Sequence, residues 1–97
     1  MNRVTIRPQV RIELLETADW YEARSDGLGA EFLSAFDITL EKIVRRPLIH
    51  QIAFGSMRKA RLRGFPYFIV YQANDDEIVI FSCLHGSRDP ATWQQSL

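Results

Sequence analysis

A chain of 97 residues with 46% hydrophobic content, 11% aromatic residues and 25% charged residues can build one small core and is too short for two. Its one cysteine excludes a disulfide scaffold, and no stretch approaches the roughly 20 consecutive apolar residues of a membrane span. Twelve Lys/Arg balance twelve Asp/Glu, so the chain lacks the overall positive field that draws proteins to nucleic acid.

One domain over 1–97 is the expected organisation, with no internal repeat, low-complexity segment or linker. Met1 to Pro8 lacks the apolar stretch of a secretory signal, and the cytoplasm is the expected location. Val4 and Ile6 alternate with polar neighbours, which predicts a short first strand closed by Pro8. That proline suits the first turn of a helix, where its missing N–H leaves no bond unmade. Val10, Leu14, Ala18 and Tyr21 then recur at i, i+4, i+8 and i+11, the spacing of one helical face. They predict a helix over about 9–25 that runs out at Ser25-Asp26-Gly27. Phe32, Phe36, Leu40 and Ile43 repeat the spacing and predict a second helix over about 29–45, stopped by Pro47. The short link makes the pair an antiparallel hairpin, and its two apolar stripes need a common cover.

Strands over about 57–63, 67–73 and 78–84 supply that cover, the last two joined by the turn-forming Asn74-Asp75-Asp76-Glu77. Tyr67 to Tyr71 and Ile78 to Leu84 are nearly continuous apolar runs, as central strands covered on at least one face require. Cys83 lies inside the second run and reads as a core thiol rather than a nucleophile. Asp89-Pro90 has the form of an N-cap and first-turn proline for a brief terminal helix carrying Trp93.

The balanced charge is unevenly spread. Residues 1–44 carry five Lys/Arg against eight Asp/Glu, residues 45–71 six against none, and residues 72–97 one against four. Strand alternation sends Arg58, Ala60 and Leu62 to one face and Lys59, Arg61 and Arg63 to the other, so the second face becomes a row of cations. His85 and Arg88, after the next apolar strand, are candidates to converge on that row. A phosphate backbone or an acidic protein segment is the chemistry such a row fits, and a solvated strand face is the plain alternative. His85 has the side chain of a general acid or base, although a histidine there more often satisfies a local hydrogen bond. No CxxC, HExxH, glycine-rich phosphate loop or Ser/His/Asp pattern occurs, and neither a metal nor any other cofactor is expected.

Arg61-Leu62-Arg63-Gly64-Phe65-Pro66-Tyr67 and His85-Gly86-Ser87-Arg88-Asp89-Pro90-Ala91-Thr92-Trp93, in this order after a strand and a two-helix hairpin, resemble the RelE/ParE superfamily of type II toxin–antitoxin toxins. The likeness spans nearly the whole chain. It implies an α+β fold, a helical hairpin packed on a small antiparallel β-sheet that is mixed at the first strand. It also implies a cognate antitoxin as partner and a role of the plasmid-stabilisation kind.

Matched to the ribosome-dependent ribonucleases of the RelE branch, Lys59, Arg61 and Arg88 fall at basic catalytic positions, with His85 as a partial substitute for a missing acid/base. Phe68 stands where that branch has an arginine, and Gln94 where it has a terminal catalytic tyrosine. The aromatic-Pro-Tyr opening and the His-x-x-Arg-Asp-Pro followed by Trp are closer to the ParE-like branch, whose described activity is inhibition of DNA gyrase. The preferred reading is thus a ParE-like toxin that binds through Arg58, Lys59, Arg61, Arg63, Tyr67, Arg88 and Trp93. The alternatives are a ribosome-dependent mRNA endoribonuclease using Lys59, Arg61, His85 and Arg88, and a non-toxic remnant that only binds a partner.

Overall fold

A computed structural model describes residues 3–87. The elements are β1 (Arg3–Ile6), α1 (Pro8–Glu22), α2 (Leu28–Arg45), β2 (Gln51–Phe54), β3 (Met57–Arg61), β4 (Tyr67–Ala73) and β5 (Glu77–His85). They form the expected α+β arrangement: the helices pack as a hairpin on a five-stranded sheet ordered β1-β5-β4-β3-β2. β1 runs parallel to β5 and every other pair is antiparallel, so the sheet is mixed only at its first strand. Parallel pairing needs a long connection; here the helical hairpin carries the chain from β1 at one edge to β2 at the other, and β3 and β4 bring it back to β5 beside β1.

Pro8 opens α1, and the helix ends at Glu22, three residues short of the expected limit. The reason lies in Glu22 itself. Its carboxylate accepts the backbone N–H groups of Gly27 at 2.8 Å and Gly29 at 2.9 Å. Those donors belong to the start of α2, whose N-cap Gly27 has no side chain to cap it. The two hydrogen bonds hold the Glu22 carboxyl below the usual range. Gly27, at φ 87°, makes the left-handed turn between the helices that glycine tolerates best.

The main core lies between helices and sheet. Val10, Leu14 and Ala18 from α1 and Phe32, Phe36 and Ile43 from α2 meet Ala60, Ile69, Tyr71, Ile78, Ile80 and Cys83 from the strands. At one end Tyr21, Phe32, Phe65 and Tyr67 pack together, Tyr21 stacked on Phe32 and the other rings edge to face, with Tyr21 and Phe65 centroids 4.9 Å apart. A smaller cluster of Met57, Val70 and Leu84, flanked by Phe54, Phe68 and Phe81, occupies the opposite face of the sheet. Alternation along β3 and β4 separates the two sets.

Two strands differ from expectation. The third is shorter, ending at Arg61, because Gly64 at φ 85° reverses the chain and Leu62 donates its N–H to the Tyr67 carbonyl at 2.9 Å. β2 was not expected at all; its four residues form an edge strand whose pairing with β3 shifts register between Ile52 and Phe54. Among the described residues no helix is long and apolar enough to cross a membrane.

Candidate functional site

The site is built on β3. Its register places Lys59 opposite Val70 and Arg61 opposite Phe68. Directly paired residues share a face of the sheet, so Lys59 and Arg61 stand on the side of the smaller apolar cluster, away from the helices. Together with Gln51 from β2, Phe68 from β4 and Gly86 beyond β5 they line a groove of about 250 Å³. The Lys59 ammonium lies 5.3 Å from the centre of the Phe68 ring, within cation–π range. Gly86 donates its N–H to the Pro66 carbonyl at 2.6 Å, which fixes the end of the groove. A Cβ at position 86 would stand 3.9 Å from the Arg61 guanidinium.

Among the described residues no carboxylate lines this groove. The Arg45–Glu41 ion pair lies elsewhere, on α2. Two cations on rigid backbone beside an aromatic ring and an amide suit an anionic group, whether phosphate or carboxylate.

The remaining candidates are dispersed. Arg58 points to the helix side with Ala60, where its guanidinium donates to the carbonyls of Leu48 at 3.1 Å and His50 at 2.7 Å. It is a staple for the α2–β2 connection. Arg63 lies past the end of β3 and does not join the row of cations; it lines a separate hollow with Glu31, Ile38 and Lys42 of α2. The predicted pleat fails there because the strand has already turned toward Gly64. Tyr67 faces the helices and joins the aromatic end of the core. Arg88 and Trp93, with the terminal helix expected to carry Trp93, lie outside the described residues.

His85 is directly paired with Tyr67, and their rings meet edge to face with centroids 5.1 Å apart. It lines a hollow with Glu13, Glu16, Thr17 and Cys83 on the α1 side. The imidazole Nδ1 accepts the Ser87 N–H at 3.0 Å and sits 2.7 Å from the Ser87 hydroxyl. The sheet therefore separates His85 from Lys59 and Arg61. Cys83 is buried, and burial, with the nearby Glu13 carboxylate, pushes its thiol up to about 12.

Sequence reasoning missed the polar staple under the 46–50 connection. Tyr71 reaches across to donate its hydroxyl to the Pro47 carbonyl at 2.6 Å, and burial pushes that phenol up to about 12, against the opposing influence of Arg58. His50 packs its ring on Tyr71, with centroids 6.0 Å apart. The tyrosine hidden in an apolar strand was the available signal, since a buried phenol needs an acceptor. The alternation in Gln51-Ile52-Ala53-Phe54 before Gly55 was the signal for β2.

A family profile described as the ParE toxin of the type II toxin–antitoxin system, parDE, matches residues 4–90. Comparison with curated proteins returned no match. Among solved structures, a chain of the chromosomal ParDE toxin–antitoxin system from P. aeruginosa superposes with a TM-score of 0.64 at 14% identity, covering 88% of this chain and 96% of that one. At that identity the likeness establishes the fold, while the profile, spanning β1 to the end of the sheet and beyond, carries the family assignment. The chain belongs to the ParE toxin family of type II toxin–antitoxin systems.

Proposed function

We propose that this protein is a toxin that acts by binding, with DNA gyrase as its target, and that a cognate antitoxin neutralises it. The setting that follows is the cytoplasm. Family membership supports the toxin role. The observation that favours binding over RNA cleavage is the separation of Lys59 and Arg61 from His85 by the sheet. Cleavage through a 2′-hydroxyl needs a proton acceptor and donor at the scissile group as well as charge stabilisation. The groove offers two cations, an amide and the Phe68 ring, and among the described residues no histidine, carboxylate or tyrosine lines it. An inhibitor needs no acid/base pair, only complementary surface.

The test sets purified toxin against a gyrase supercoiling assay and against ribosome-bound messenger RNA. Inhibited supercoiling with intact RNA is the expected result. Codon-positioned cuts that vanish in a folded Lys59→Ala protein would install the nuclease reading instead. Inactivity in both assays would mark a remnant that only binds. Lys59→Glu combined with Arg61→Glu is expected to weaken antitoxin binding and reduce its salt sensitivity, because the rim charges of an interface set the encounter.

A further inference from the structure

We infer that His50 is a proton-operated latch: while its ring is neutral the 46–50 connection and β2 stay closed on β3, and protonation releases the two together with the rest of the fold intact. The latch stands whatever the groove binds.

The His50 ring lies against the Tyr71 ring, under the connection between α2 and β2. Its Nε2 is buried without a hydrogen-bond partner, so the hydrogen bond that the ring makes to the Lys42 backbone falls to Nδ1. A neutral imidazole fits this arrangement as the tautomer that carries its proton on Nδ1. A second proton, on Nε2, would be a buried donor with no acceptor. The charges facing the ring come from two elements, Lys42 of α2 and Arg58 of β3, and both are cations. Tyr71 of β4 adds no charge, because its phenol, pushed up to about 12, stays protonated. Burial, then Arg58, hold the imidazole below 6.5; the Lys42 ammonium adds to them and the Lys42 backbone bond opposes them.

What the proton opens is lightly held. Three side-chain hydrogen bonds tie the connection down, from the Tyr71 hydroxyl to the Pro47 carbonyl and from the Arg58 guanidinium to the carbonyls of Leu48 and His50. Apolar burial adds little, since Leu48, Ile49 and Ile52 are 64%, 60% and 54% exposed. β2 has four residues, stands at the end of the sheet and shifts register after Ile52. A segment of this kind opens at lower free energy than a core strand. Arg58 couples the proton to the bonds, because a charged His50 repels the same guanidinium that holds its own carbonyl. Release also withdraws Gln51 from the wall of the Lys59 and Arg61 groove. The open form takes up the proton at the ordinary value and the closed form at a lower one. The opening constant therefore rises as pH falls below 6.5, by up to tenfold for each pH unit separating the two titrations.

The test is amide hydrogen exchange of the whole protein, followed by NMR at about pH 7 and about pH 5 and corrected for intrinsic rates. Protection of the amides that join β2 to β3 is expected to fall severalfold in acid, while those between β4 and β5 keep theirs. That comparison needs no variant. His50→Gln should abolish the pH dependence, and His85→Gln, which alters the other histidine, should leave it in place. Unchanged β2 protection in acid, an equal loss in the β4–β5 amides, or the same pH dependence in His50→Gln would each overturn the inference.

Discussion

Gly29 lies so close to α1 that a Cβ at that position would stand 2.5 Å from the carbonyl oxygen of Ala18. This contact sets the separation of the two helices at the turn end of the hairpin. Glu22 reinforces it by accepting the Gly29 N–H. Alanine is ordinarily the better helix former by about 1 kcal/mol. Here the obstruction is backbone rather than a movable side chain, so Gly29→Ala should destabilise by about 1–3 kcal/mol, the cost of an overpacked site. Urea denaturation would show it as a lower midpoint at unchanged slope.

The Tyr71 hydroxyl holds the Pro47 carbonyl. Tyr71→Phe keeps the ring in the core and leaves that carbonyl without its partner, which costs about 1–2 kcal/mol when the acceptor is buried. A thermal midpoint indistinguishable from the parent protein would mean that solvent replaces the bond.

Stability should fall with acid in two stages. Burial first, then the neighbouring Arg58, hold His50 below its ordinary 6.5. The unfolded chain therefore takes up this proton before the folded one does, and stability declines as pH drops below 6.5 until the folded imidazole also titrates. Glu22, held below 4.5 by the Gly27 and Gly29 amides, adds stability that is complete above 4.5 and is lost as pH falls through its folded value. His50→Gln should flatten the first stage and Glu22→Gln the second in a pH series of urea midpoints.

Cys83 should be inert in the native protein. It is 7% exposed, and its thiol is pushed from 9.0 to about 12. At neutral pH this lowers the thiolate fraction by roughly a thousandfold relative to a free thiol, before access is considered. Alkylation by iodoacetamide is therefore expected to follow unfolding, speeding up with urea. Rapid native-state labelling would show that β5 opens locally.

Local patterns determined most of the architecture. Periodicity alone located both helices and the two central strands, because Phe32, Phe36 and Ile43 at helical spacing, and the apolar run from Ile78 to Leu84, can be buried in few other ways. The order of short motifs from Arg61 to Pro90 carried the family. What the sequence left open was decided by contacts between residues distant along the chain. Four cations on a predicted strand look alike in sequence, yet Arg58 is turned inward to hold Leu48 and His50, Arg63 is carried away by the turn at Gly64, and Lys59 and Arg61 alone meet beside Phe68. His85, close to the groove in the expected plan, stands behind the sheet because its pairing with Tyr67 fixes which face it takes. Side-chain alternation states that neighbours point opposite ways; only strand pairing and the placement of the helices decide which way each one points.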